Sequence, residues 1–411
     1  MDTQYLLDWA NLLLRWAHVI VGIAWIGSSF YFVWLDNNLD APTAPEDADL
    51  KEKGVTGALW AVHGGGFYNP QKYMVAPKNL PQNLHWFYWE SYSTFLTGFA
   101  LFTVLYLFNA TTFLIDKSKM DWSPGAAVSV ALAFFVAGWA VYDMLCRFLG
   151  QEKDAQGRMK IGGDIRVGVA IFIYIVAASW LACQLFSGRA AFILIGATMA
   201  AIMSANVFFW IIPGQKQVIA QMRAGEPVDP LHGQRAKQRS VHNTYFTLPV
   251  LFTMLSNHYS FTYNHPQNWL VLVLIMLASV LIRQFFLSRH NGNGKGRTLW
   301  RYPLAGCGIL IGVMVWIAPE PAVVKAAAQG APEVSFAQVQ TIVEARCTAC
   351  HNAQVAQKGV QLHTVEGIVK NAAGIYQQAV VSKIMPMANS TGITQAERDA
   401  LGAWVLAGAK P

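Results

Sequence analysis

The sequence predicts an all-α protein, a polytopic bundle of about eight transmembrane helices followed by a small helical C-terminal domain. Three observations carry that prediction. Hydrophobic residues make up 54% of the 411 and charged residues only 13%, a balance that suits a chain dissolved in lipid. Eight apolar runs long enough to cross a bilayer lie near residues 11–35, 86–109, 124–145, 166–186, 190–212, 241–259, 268–288 and 300–318. After the last run comes Ala318-Pro319-Glu320-Pro321 and an Ala-rich stretch to Pro332, a composition that reads as a tether. The expected division is therefore a membrane domain over 1–318, a linker over 319–332 and a small domain over 333–411.

The first run carries Arg15 and His18 inside it, is too long for a signal-peptide core and lacks a small-residue cleavage site, so it is expected to be the first span. Between the first two runs lies His63-Gly64-Gly65-Gly66. No Lys-Ser/Thr pair follows, so this is no phosphate loop, and a simple turn is the plain alternative to a binding role. His85 and Glu90 stand at the start of the second run, Asp164 and Arg166 at the start of the fourth, and His242 with Asn243 at the start of the sixth. Only Ser187, Gly188 and Arg189 separate the fourth and fifth runs, which predicts a tight helical hairpin. Fifteen Trp and fourteen Tyr suit interfacial aromatic belts.

In the C-terminal domain, Cys347-Thr348-Ala349-Cys350-His351 is the attachment signature of a covalent c-type haem. The two thiols can bond the haem vinyl groups, and the adjacent imidazole of His351 is then held under the iron. Zinc would need a second ligand pair, and Cys146, Cys183 and Cys307 lie in apolar segments far upstream. The expected second axial ligand is Met385, in Lys383-Ile384-Met385-Pro386-Met387, because proline stiffens the loop that presents the thioether. Met387 and His363 are the competitors. His/Met ligation raises the iron potential relative to His/His. Thr394 and Glu397 form a capping box for a last helix to about Ala407, with Leu401, Trp404 and Val405 on one face. One helix before the Cys pair and one at the end is the minimal plan of a class I-like cytochrome c domain.

An even number of spans puts both termini on one side, and haem c is attached on the periplasmic side. Loops thereby assigned to the cytoplasm hold sixteen Lys and Arg, while the periplasmic loops hold Lys117, Lys119 and Arg189. That asymmetry obeys the positive-inside rule. The expectation is a multi-pass protein of a bacterial inner membrane with both termini periplasmic. The formal charge of +7 and pI near 9.1 reflect these loops, and no nucleic-acid-reading module is present.

Ionisable groups inside spans are costly, which makes them functional candidates. Towards the periplasmic ends, His18 and His258 are candidate ligands of a haem b, with Arg15 pairing a propionate; interhelical hydrogen bonding is the alternative. Towards the cytoplasmic face, His63, His85, His242 and Asn243 are the candidates for catalysis, since neutral imidazoles can take protons near neutral pH. His242 and His258 are sixteen residues apart, about 24 Å along a helix, and cannot share one metal. Asp143 is expected to pair with a neighbour or a basic loop residue.

Taken together, Leu14-Arg15-Trp16-Ala17-His18 through Trp25-Ile26-Gly27, His63 through Tyr68, Asn243-Thr244-Tyr245 through Pro249, Ser256 through Tyr259, the haem motif and Met385 through Gly392 carry a resemblance. The whole chain resembles the bacterial membrane-bound urate hydroxylases, the PuuD-type urate oxidases. Ala388 stands where the family pattern has Gly, beside the ligand loop. The resemblance implies oxidation of urate to 5-hydroxyisourate with oxygen from water and without hydrogen peroxide. It also implies that electrons pass through one haem c to a respiratory-chain acceptor such as a soluble cytochrome c or a terminal oxidase. Expected partners are thus urate, that acceptor and membrane lipid. A membrane-anchored electron-transfer subunit of a partner dehydrogenase remains the alternative. A haem-copper oxidase lacks its adjacent His-His pair here, and no repeat between the span halves suggests a transporter.

Overall fold

Small residues decide which helix occupies the centre. Gly196 lies so close to the neighbouring helix that a Cβ there would sit 1.8 Å from Thr253 Oγ1, the close approach that small residues permit between apolar helices. The helix that carries it, Gly188–Asn206, continues into Ala224, and 67% of the most apolar window of that run is buried, against 6% for the first helix.

The structure is a computed structural model that describes residues 3–43, 45–74, 77–288, 299–318 and 334–411. The helices in order are α1 (Thr3–Asn38), α2 (Ala48–Lys53), α3 (Trp89–Phe102), α4 (Pro124–Leu149), α5 (Asp164–Leu185), α6 (Gly188–Asn206), α7 (Ile212–Ala224), α8 (Pro230–Ser256), α9 (Ser260–Tyr263), α10 (Asn268–Ser288) and α11 (Arg301–Trp316). The C-terminal lobe adds α12 (Phe336–Arg346), α13 (Val365–Lys370), α14 (Ala372–Ile375) and α15 (Gln395–Leu406). The tether at 319–332 and the basic residues Arg289, Lys295 and Arg297 lie outside the described residues.

All eight apolar runs fall on helical stretches, but among the described residues five helices are long and apolar enough to cross a membrane: Tyr5–Asn38, Pro124–Leu149, Asp164–Leu185, Gly188–Ala224 and Asn268–Ser288. The difference from the expected eight has local causes. The second run is interrupted: α3 has 14 residues and passes into π-helical segments Thr103–Leu107 and Ala110–Leu114, between which Asn109 leaves helical geometry at φ −118°, ψ 44°. The sixth run lies on α8, whose N-terminal half carries His232, Arg235, Lys237 and Arg239. The eighth is α11, with 16 residues.

Around α6, α4, α5 and α8 pack directly, α10 packs on α8 and α11, and α1 runs along α3. The predicted hairpin between the fourth and fifth runs is present: α5 ends at Leu185, and the Ser187 hydroxyl accepts the Ala190 N–H to cap α6. Short strand pairs lie in two of the connections. β1 (Gly57–Ala58) pairs with β4 (Gln71–Lys72), β2 (Ala61–His63) with β3 (Gly66–Tyr68), and β5 (Gln151–Lys153) with β6 (Met159–Ile161), all antiparallel. The glycine run is therefore a turn, with Gly64 and Gly65 at φ 58° and 82°, the backbone that a two-residue hairpin loop demands.

The lobe has its own core. Val339 and Val343 of α12 and Leu401 and Trp404 of α15 are buried together with Leu362 and Ile368. Thr394 and Glu397 make the expected capping box, so α15 starts where the sequence places it.

Candidate functional site

Inside the bundle, three helices bring polar side chains together where the sequence is mostly apolar. Helix α8 presents Arg239, His242 and Asn243, spaced i, i+3, i+4 and hence on one face. Facing it, α4 presents Tyr142, Asp143 and Cys146, and α6 ends on Asn206. Beyond Asn206 the helix widens into a π-helical segment, Val207–Ile211. Pro213 explains the widening, because it has no N–H to bond the Phe209 carbonyl four residues back. Such segments recur at functional sites, and this one aims Trp210 at Asp143.

The hydrogen bonds fix the orientation of each group. Asn243 Nδ2 donates to the Met203 carbonyl at 3.0 Å. A carbonyl only accepts, so the Asn243 amide is turned with its Oδ1 towards Asn206, whose Nδ2 donates to it at 2.9 Å. The same Asn206 nitrogen donates to Tyr142 Oη at 2.9 Å. Tyr142 is then free to donate its own proton to His242 Nδ1, 2.8 Å away. In that arrangement His242 carries its hydrogen on Nε2. Cys146 Sγ lies 3.8 Å from the same Nδ1.

Beside this chain runs an ion-paired one. Asp143 accepts from Arg239 Nη2 at 2.7 Å and Arg147 Nε at 2.6 Å, and from Trp210 Nε1 at 2.8 Å. The expectation that Asp143 is paired is met, with Arg239 as its buried partner. The Arg239 guanidinium also stacks on Tyr142 at 4.9 Å and Trp210 at 5.2 Å. Two polar atoms of the cluster find no partner, Asn206 Oδ1 and Arg239 Nη1, in residues 0% and 3% exposed. Buried polar atoms are nearly always satisfied, so an orphaned acceptor and an orphaned cationic donor in one cluster are capacity for a water, an ion or a ligand.

Of the four catalytic candidates, the structure brings His242 and Asn243 into this cluster. His63 is exposed at the end of β2, and His85 is exposed with its ring 4.9 Å from Phe87. Of the haem b candidates, His18 Nδ1 bonds Thr97 Oγ1 of α3 at 3.1 Å, Arg15 bonds Asn11 of its own helix, and His258 is exposed just past α8. Tyr142, Asn206, Arg239 and Trp210 were not among the sequence candidates. An asparagine inside the apolar run 190–212 is the signal that could have drawn attention to Asn206; Arg239 reads in sequence only as a loop charge.

In the lobe, Cys347 and Cys350 are both free. His351 Nδ1 lies 3.2 Å from the Val360 carbonyl, so that nitrogen must carry the hydrogen and the Nε2 lone pair is left for a metal, the usual way a ligating histidine is oriented. The backbone of Met385 is held at both ends, its N–H by the Gln378 carbonyl at 3.0 Å and its carbonyl by Arg398 Nη1 at 2.8 Å. Arg346 ties this loop to α12, donating to the Thr391 carbonyl and to Glu397. Among the described residues no three His, Cys, Asp or Glu side chains converge as a metal-binding group. By type, two thiols, an imidazole with a free Nε2 lone pair and a thioether are donors that a covalent haem takes. The lobe meets the bundle where Asn264 Nδ2 donates to the Ser382 carbonyl at 2.8 Å, beside a cavity of about 430 Å³ that Met387, Lys383, Arg189 and Tyr263 help to line.

Fold and cluster together define a class: a helical protein of membrane-spanning composition whose polar chemistry is enclosed by its own helices. Within that class the chain belongs to the urate oxidase N-terminal family, whose model matches residues 4–318. Neither the comparison with curated proteins nor that with solved structures gives a match. Membership relates the chain to an oxidoreductase activity on urate.

Proposed function

We propose that the protein is a membrane-embedded oxidoreductase that hydroxylates urate to 5-hydroxyisourate, binding it in the cluster around His242 and Asn243. In this reading all eight helical stretches cross a bacterial inner membrane, both termini are periplasmic, and the C-terminal lobe is a class I-like cytochrome c domain. The observation that carries the site is the orphaned pair. Urate at neutral pH is a planar monoanion with ring N–H donors and carbonyl acceptors. Arg239 Nη1 supplies a cationic donor for an anionic edge, Asn206 Oδ1 an acceptor for a ring N–H, and the Nε2–H of His242 a further donor.

Adding the oxygen of water to urate releases two electrons and two protons. The Tyr142–His242 hydrogen bond is a path along which a proton can move between the two rings, and Asp143 holds Arg239 in place while it does so. Cys347 and Cys350 would hold haem c covalently and His351 and Met385 would bind its iron; when bound, it would supply a one-electron acceptor that has to be loaded twice per urate and emptied each time to a respiratory-chain acceptor. The seam at Asn264 and Ser382 supports a route from bundle to lobe, because it sets the Met385-Pro386-Met387 loop against the bundle.

Anaerobic addition of urate to the purified chain tests the proposal. An enzyme reduces its own haem without a partner, whereas an electron-transfer subunit stays oxidised. Met385→Ala should remove the Met-to-iron charge-transfer band, and Met387→Ala should leave it; the reverse result reassigns the ligand.

A further inference from the structure

Three arginines of the described residues are buried: Arg239, Arg283 and Arg398. Two are accounted for. Arg239 pairs with Asp143, and Arg398 donates to the carbonyls of Ala379 and Met385. Arg283, on α10, is 5% exposed, and its Nε and Nη2 reach no acceptor and no solvent. No described acid pairs with it, and its guanidinium lies over the Phe30 ring of α1 at 4.1 Å. A buried charge without a counter-charge is expensive, and the polar groups beside it are already committed. Tyr245 Oη donates to Gln284 Oε1, and Gln284 Nε2 donates to Ser288 Oγ at 2.9 Å.

The surroundings point to the level of lipid headgroups. Arg283 is five residues before the end of α10 at Ser288, a rise of about 7.5 Å. At that end Trp300 is 56% exposed and its ring lies 4.9 Å from Phe285, and Arg301 is exposed. The sequence around them is basic and free of acid, with Arg289, Lys295 and Arg297. Helix α1, which covers Arg283, packs along α3 and meets α10 at Phe30 and through an Asn37 bond to the Phe286 carbonyl. Its outer surface is open, so an inserted group has to displace little packing.

We propose that Arg283 is the cationic centre of a binding site for a phosphate-type oxyanion at the cytoplasmic end of the α1–α10 seam, and that the oxyanion is the headgroup phosphate of an anionic lipid. This rests on the membrane reading of the chain and on neither urate nor haem. Basic pockets between helices at the cytoplasmic surface suit such headgroups.

The test uses the full chain in nanodiscs of phosphatidylcholine alone, with added phosphatidylglycerol, or with inorganic phosphate in the buffer, and reads the thermal midpoint. Phosphatidylglycerol should raise the midpoint by a few degrees, Arg283→Gln should lose that rise, and Arg301→Gln should keep it. An equal rise with inorganic phosphate, also lost in Arg283→Gln, keeps the site and makes the source a free anion. Should Arg283→Gln not fold, native mass spectrometry of the unmodified chain decides, since phosphatidylglycerol must then survive detergent washing that strips phosphatidylcholine. No rise with either additive, a rise retained in Arg283→Gln, or equal retention of the two lipids overturns the proposal.

Discussion

The helical bundle and the C-terminal lobe solve the placement of polar groups in opposite ways. In the lobe, the groups at the motif are tied to backbone, to near neighbours in sequence or, for Arg346, to Glu397, 51 positions on. His351 bonds Val360 nine residues on, Thr394 and Glu397 cap each other, and Arg346 closes the loop through Thr391 and Glu397. In the bundle, Tyr142, Asn206 and His242 come from three helices separated by 64 and 36 positions in the numbering and are held by one another. They leave Asn206 Oδ1 and Arg239 Nη1 unspent. The bundle thus gathers its spare hydrogen-bonding capacity in one cluster shared by three helices, and the proposed urate site draws on it.

Removing the imidazole at the centre of the bundle cluster gives the largest expected effect. His242→Ala should lower urate-driven haem reduction by about 10²–10⁴-fold, with the haem spectrum and its reduction by dithionite unchanged. Reduction at the normal rate would move the chemistry out of this cluster. Asp143→Asn comes next. It takes the counter-charge from a buried arginine bonded at 2.7 Å, a loss that costs about 3–5 kcal/mol, and thermal unfolding of the bundle in detergent should show it. Leu401→Ala, at a side chain 0% exposed in the lobe core, should cost about 2–5 kcal/mol. Its effect should be confined to the haem-monitored transition; an equal shift of the bundle would mean that the two regions unfold together.

The smallest effect concerns pH and the lobe alone. Burial pushes the Glu397 carboxyl up, but bonds from the Thr394 N–H, Arg346 and the Thr394 hydroxyl outweigh it and hold the carboxyl below the usual carboxylate range. The stabilisation is therefore fully present above the ordinary Glu value of about 4.3 and is lost as pH falls through the lowered one. Glu397→Gln should be less stable than the parent at neutral pH by less than about 1 kcal/mol, the range of a solvent-screened ion pair, and the gap should close in acid. A gap that stays constant with pH would assign the effect to packing.

The sequence by itself determined what is encoded contiguously. Cys347, Cys350 and His351, the Thr394–Glu397 cap, the turn at Gly64–Gly65 and the hairpin at Ser187 depend on neighbours within a few residues, so composition and spacing were enough. His242 and Asn243 were legible as polar residues at the start of an apolar run. The tertiary structure alone decided which partners they meet, because side chains on different helices are neighbours only through packing. The closeness of α6 and α8 at Gly196, the π-helical widening that follows from Pro213 and the face of α8 shared by Arg239 and His242 together put Tyr142 and Asn206 beside them. The same limit explains the helix count. Hydropathy sums apolar residues along a run and cannot see Asn109 interrupt the helical geometry that follows α3, nor the four basic side chains that share α8 with an apolar second half.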